Sequence, residues 1–453
     1  MEKEYLIHSR PLRALLTFAV PMMVGNLFQQ FYTMTDSVVV GRFVSEDALA
    51  AVGACTSLTN VFIAVAIGGG VGASVVVSRY FGSRDYGTMK RAVYTALLAF
   101  LAVSIALGGL GLLAGRRLML WLQTPQDVFE MAMDYLNIYF LGLPFLFMYN
   151  VLSAMFNALG RSRIPLYLLI FSSVTNIVLD VYAVVELGMG VPGVAWATLI
   201  AQGISAVLSF VIFLREMRAL PGTSDRCFDG PELGRMTRIA LPSILQQSTV
   251  SIGMLLVQSV VNGFGSEVLA GYTAGMRLEN LCIVPMAAMG NVMSSYTAQN
   301  LGAGRPDRVV RGYRVAYGIV AAFAVVLAVG LELFYTPLIS LFLGDDGTPA
   351  AVATGANYLR FIGWFFVLIG LKMTTDGLLR GAGDMPMFTV ANLVNLTLRV
   401  VIAVVCAPRF GVAMVWYAVP VGWAVNYLIS FFEYRTGRWR RLTAAAVREE
   451  ETA

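Results

Sequence analysis

Long apolar runs separated by short charged ones dominate this chain. Twelve stretches of mainly apolar residues, most of them about 20 residues or longer, follow one another. They lie at 14–40, 47–77, 92–114, 130–155, 164–186, 190–214, 237–262, 268–298, 313–343, 352–378, 386–407 and 411–434. Each is long enough to cross a bilayer as a helix, and several exceed what a bilayer needs, which predicts tilt, kinks or projecting ends. The polar start MEKEYLIHSRPLR and the length of the first run speak against a cleavable signal peptide. The expected fold class is an all-α integral membrane protein with twelve transmembrane helices.

Composition agrees with that pattern. Of 453 residues 58% are hydrophobic and 13% charged, about half the charge of a soluble domain, which is near 25%. The net charge of +5 would suggest nucleic acid were it not so unevenly spread. With the N-terminus in the cytoplasm, the inner loops and tails hold 24 of the 32 basic residues, including Lys90, Arg91, Arg161, Arg215, Arg305, Arg308, Arg380, Arg435 and Arg440. The outer loops hold Arg42, Arg116, Arg117 and Arg409. This is the positive-inside bias, with both termini cytoplasmic, so the surplus is topological and nucleic acid is not expected as a partner. Cys55, Cys227, Cys282 and Cys406 form no CxxC pair, and His8 is the sole histidine. A disulfide framework, a histidine metal centre and a Ser-His-Asp triad are therefore not expected, and neither is an enzyme.

The chain also repeats itself. AVPMMVGNLFQQ aligns with ALPSILQQSTVS, setting Pro21 against Pro242, 221 residues apart. GRFVSEDALA aligns with NGFGSEVLAG, YFGSRDYGTMKRA with NLGAGRPDRVVRG, and LGRSRIP with RGAGDMP. The offset stays at 220 or 221 throughout, which predicts two copies of a six-helix unit. Six is even, so the copies share an orientation and are expected to be related by a pseudo-twofold axis along the membrane normal. The expected organisation is an N-terminal lobe at 1–214, a cytoplasmic linker at 215–235, a C-terminal lobe at 236–434 and a basic or polar tail at 435–453. Two like lobes around a cleft suit a transporter.

Two carboxylates stand out because acids inside apolar segments are costly and mark ion or proton pathways. Asp36 lies in the first segment, about 9 Å below its outer end at 1.5 Å per residue, and Asp180 lies at a similar depth in the fifth. Asn176 is one turn deeper on the face of Asp180, and Thr198 in the sixth segment reaches the same level. Two carboxylates, a carboxamide and a hydroxyl form an all-oxygen set suited to a hard monovalent cation or a shared proton. The alternative is that each acid only fixes packing within its lobe. The repeat bears on this choice, since Asp36 falls on Val257 and Asp180 on Val401, and the second copy folds without these acids. Pro21, fifteen residues before Asp36, is either a hinge coupled to that acid or a static kink shared with Pro242.

Several of these segments resemble the multidrug and toxic compound extrusion (MATE) family, in its DinF-like bacterial branch. The resemblance rests on P(x14)DSVVVG in the first segment, NIVLD followed by GVAWAT in the fifth and sixth, SEDALAAVG, QNLGAG and LRGAGDMP, and it spans essentially the whole chain. It implies antiport, in which organic and often cationic compounds leave the cell as H+ or Na+ enters. It also implies a cation site in the N-terminal lobe formed by Asp36, Asn176, Asp180 and Thr198. Helix 7, where the NorM-like branch places functional acids, carries only Gln246, Gln247 and Gln258 here. The expectations are a multi-pass protein of the bacterial cytoplasmic membrane, probing small organic substrates and lipid, with no cofactor beyond the coupling ion and a monomeric state. The competing reading within the same wider superfamily is a flippase for a lipid-linked saccharide.

The remaining intramembrane polar groups are read singly. Lys372 and Asp376, four apart, can pair with each other, while Arg277 and Glu279, two apart, look to different neighbours. Arg399 is expected to bond to backbone or to an acid. Gln29, Gln30, Gln246, Gln247, Gln258 and Asn262 are candidates for the cleft, with the aromatics Phe28, Phe31, Tyr32, Phe140 and Tyr149 as possible walls for lipophilic cations. Glu279 and Asp376 are the acidic candidates for contact with substrate.

Overall fold

The computed structural model describes residues 4–122, 124–224, 226–343 and 347–440, with the side chains of Asp36, Ser37 and Glu46 outside that description. The tail beyond Arg440 lies outside it as well. After a short α1 (Tyr5–His8) come α2 (Pro11–Phe43), α3 (Glu46–Ser83), α4 (Tyr86–Trp121), α5 (Gln126–Ala158) and α6 (Arg163–Val181), which ends in a π-helical turn, Tyr182–Glu186. Then follow α7 (Gly190–Arg218), α8 (Gly230–Asn262), α9 (Ser266–Gly302), α10 (Pro306–Leu343), α11 (Pro349–Gly363), α12 (Phe366–Ala382), α13 (Met385–Phe410) and α14 (Ala413–Thr436). Among the described residues ten helices are long and apolar enough to cross a membrane, and α11 with α12, bent by 55°, makes an eleventh. The twelfth is α9, which is 37 residues long but carries Arg277, Glu279, Asn280, Asn291, Gln299 and Asn300. The fold is an all-α, twelve-helix membrane protein of two lobes. Leu113, Val326 and Phe432 are exposed at 84%, 68% and 65%, which suits helix faces turned to lipid.

The chain forms two compact units, 24–244 and 1–23 with 245–453. Both changes of unit fall inside helices, three residues after Pro21 in α2 and three residues after Pro242 in α8. In the unit 24–244, α5 packs against α3, α4 and α7. Gly108, Gly111 and Gly115 of α4 leave room for Phe140, where an added Cβ would lie 2.6–2.9 Å from that residue. Phe140 is thus a core residue, 1% exposed, and not a wall of a cleft. The segment after α7 is fastened within this unit. Lys90 Nζ donates to the carbonyls of Leu220 and Gly222 at 2.8 and 2.6 Å, Arg91 meets Asp229 at 3.4 Å, and Tyr80 donates to Glu232 at 2.8 Å.

In the other unit, α9 packs on α10, α11 and α12, and α14 on α12 and α13. Leu15 and Phe18, from the start of α2, are buried among Met289, Met293, Tyr296 and Leu379. Asn300, Arg305 and Arg308 bind the carbonyls of Leu6, Ile7 and Ser9, which ties the N-terminal residues to this unit.

Asp384 lies between α12 and α13, fully buried, at the helix start but with no side-chain cap. Burial, and next the neighbouring Glu433 carboxyl, push it up to about 6 from 3.8, with Arg438 opposing. The native state therefore favours the protonated acid, and the stability this contributes is present below about pH 4 and lost as pH rises through about 6. Asp384→Asn should be more stable than the parent at pH 8 by about 1–2 kcal/mol, with the gap closing toward pH 4. Thermal unfolding in detergent at both pH values checks this.

Candidate functional site in the unit 24–244

Three helices converge on Asn176 of α6. The Tyr32 hydroxyl of α2 donates to Asn176 Oδ1, and Asn176 Nδ2 donates to Thr198 Oγ1 of α7 at 3.3 Å. Asn176 is 2% exposed, so its carboxamide has both ends committed, as burial demands of such a group. One helical turn on, Asp180 is 0% exposed with both oxygens buried. A small recess lined by Tyr135, Tyr139, Gly142, Leu146, Ala195 and Thr198 adjoins the site, with room for about one water molecule.

The helix changes character just past Asp180. Residues 182–186 form a π-turn, in which Leu187 N–H donates to Tyr182 O at 3.2 Å. Such turns are uncommon and concentrate at functional sites. On the facing stretch of α2, Thr33 and Thr35 hydroxyls bond to the carbonyls of Gln29 and Phe31, each at 2.9 Å, a pattern that eases helix bending. Asp36 belongs to this stretch of α2, and its side chain lies outside the described residues.

Of the sequence-derived set, Asn176 and Thr198 are in direct contact and Asp180 is on the same helix as Asn176. Tyr32, read from sequence as a possible cleft wall, is half-buried and a hydrogen-bonded member of the group. Its signal was available in the spacing, since Tyr32 is one turn before Asp36. Gln29, Gln30 and Phe31 are exposed, and Tyr149 is half-buried.

In the other unit Gln247 and Gln258 are half-buried, and Gln246 donates to Asn392 Oδ1 at 3.3 Å. Glu279, 6% exposed, accepts from the Tyr358 hydroxyl, and Arg399 is its positively charged neighbour. Lys372 and Asp376 pair at 3.1 Å with side chains 6% and 5% exposed. Both acids are therefore enclosed by partners of their own lobe. Among the described residues no group of three His, Cys, Asp or Glu could hold a metal ion. The side-chain oxygens of Asn176, Asp180 and Thr198 are hard donors, of a kind that suits a proton or a monovalent cation.

Comparisons with known proteins agree with this architecture. A Bacillus subtilis protein described as the probable multidrug resistance protein YpnP is 29% identical over 432 residues, 95% of this chain and 96% of its own. Thermotoga maritima NorM, also described as a probable multidrug resistance protein, is 24% identical over 450 residues, 96% of each chain. A solved outward-facing multidrug resistance MATE transporter of the MOP superfamily superposes with a TM-score of 0.88 over 98% of this chain and 99% of that one, at 24% identity, a likeness that speaks for the fold. The MatE family model matches residues 21–182 and 242–405, one stretch in each half, and the chain belongs to the MatE family.

Proposed function

We propose that this protein is a cation-coupled antiporter that exports organic, lipophilic cationic compounds by alternating access. Its place is the bacterial cytoplasmic membrane, with both termini in the cytoplasm and a single chain as the working unit. The observation that carries the reading is the fully buried Asp180, one turn from an Asn176 that joins Tyr32 of α2 to Thr198 of α7. A fully buried carboxylate is costly to keep charged, and an arriving cation or proton offsets that cost. Occupancy by H+ or Na+ then changes the charge at the meeting point of three helices. Pro21 lets α2 bend in response, since its ring removes one helical hydrogen bond. The names of the relatives, multidrug resistance proteins, support export of organic compounds, and α2 contributes the exposed polar and aromatic residues Gln29, Gln30 and Phe31 to meet them.

Inverted membrane vesicles, whose interior corresponds to the cell exterior, test this reading. Ethidium uptake should be driven by an imposed gradient, interior high, of protons or of sodium, and collapse when that gradient is dissipated. Uptake indifferent to both gradients would remove the coupling.

A further inference from the structure

We propose that Asp376 is the carboxylate of a monovalent-cation site in the unit 1–23 with 245–453, and that the Lys372 ammonium is the cation filling it. The site is an ion-binding shell whose ion is tethered to the chain. Positions 372 and 376 share one face of α12, and Lys372 Nζ lies 3.1 Å from Asp376 Oδ2. The same ammonium donates to Asn392 Oδ1 at 3.1 Å. Asn426 Nδ2 and Gln246 Nε2 donate to that same oxygen at 3.2 and 3.3 Å, while Ser430 donates to Asp376 Oδ1 at 2.7 Å and Asn392 Nδ2 to Oδ2 at 3.5 Å. Asn426 Oδ1, fully buried in this cluster, has no hydrogen-bond donor. The ammonium thus meets one carboxylate oxygen and one carboxamide oxygen, hard donors of the kind a sodium or ammonium ion takes.

Packing alone does not call for this arrangement. A buried ion pair gives little or no net stability over apolar residues of similar volume. The internal repeat supplies the comparison. At the 221-residue offset Lys372 and Asp376 fall on Val151 and Met155, both 0% exposed, so the sister lobe packs the same positions without charge. Nor does Arg380, one turn further and within electrostatic reach of Asp376, take the place of Lys372. It donates to Asn291 Oδ1 at 2.8 Å and Ser294 Oγ at 3.5 Å. On the antiport reading above, the consequence is that external coupling ions act at the Asp180 site alone, because the second lobe brings its own cation.

The purified full chain in detergent tests this through its melting temperature, independently of transport. Lys372→Ala should melt several degrees lower than the parent. Added ammonium, propylammonium or sodium chloride should restore much of the loss in a saturable way, with choline chloride at equal ionic strength as the control. Lys372→Ala/Asp376→Asn should not respond to these ions. Repeating the titration with Asp180→Asn added separates the two sites, since a response that persists belongs to Asp376. Should Lys372→Ala fail to purify, Lys372→Met is titrated in its place. A response absent in the single variant, or equal in the double, overturns the proposal and leaves the antiport reading untouched.

Discussion

Asp180→Asn should lower ethidium export by at least tenfold while the protein reaches the membrane in normal amounts. The substitution is nearly isosteric, and it removes a charge from a position with no exposure. Asparagine keeps the shape and hydrogen-bonding capacity of the side chain while relieving the desolvation of the charge, so the melting temperature should hold or rise. That combination, activity lost and stability kept, is what a coupling carboxylate predicts and a packing carboxylate does not. Asp36→Asn should behave the same way. Asn176→Ala should differ, because it strands the Tyr32 hydroxyl and loses the link to Thr198, at about 1–3 kcal/mol for the groups left unsatisfied, and so should lower both stability and export. Export by Asp180→Asn at the parental rate, measured with equal protein levels in cells lacking their own pumps, would remove Asp180 from the mechanism.

Much of this architecture could be read from the residues because the bilayer imposes simple rules. Length and apolar content marked the crossings, α9 with its charged and polar residues least clearly, and the fixed offset of the repeat paired Pro21 with Pro242. The Lys372–Asp376 contact was legible because four residues is one helical turn. Other features depend on tertiary contacts that no local spacing records. The break at Trp364–Phe365 follows Gly363 without a proline, and the π-turn after Asp180 has no composition of its own. Tyr358 reaches Glu279 across 79 residues of chain, so the partner of that acid could not be named from α9 alone. Asn392 likewise acquires its role from α8, α12 and α14 together. The valines opposite Asp36 and Asp180 left the second lobe without acids at those two positions. That lobe does hold buried acids, Glu279 and Asp376, at other positions and each with a cationic neighbour of its own.

Gly377→Val should be among the most destabilising single changes in the unit 1–23 with 245–453. Helices α9 and α12 touch through their backbones. A Cβ at Gly377 would stand 2.1 Å from Gly290 O, and one at Gly381 2.2 Å from Ser294 O. The four-residue spacing puts both glycines on one face of α12, the arrangement by which small residues let membrane helices approach closely. Neither obstacle is a flexible side-chain end that could swing away, so the helices themselves must part by more than an ångström. Parting would loosen Met289, Met293, Leu378 and Leu379 in the adjoining core. Overpacking a well-filled core costs about 1–3 kcal/mol and sometimes more, and a backbone wall on the far side places this case at the upper end. Gly318→Ala in α10, where nothing lies within 4 Å of the added methyl, is the control. It should match or exceed the parent, since alanine is favoured over glycine inside a helix by about 0.5–1 kcal/mol. Thermal unfolding of both variants in one detergent decides the matter. A Gly377→Val protein melting within a degree of the parent would mean that α9 and α12 are not in backbone contact.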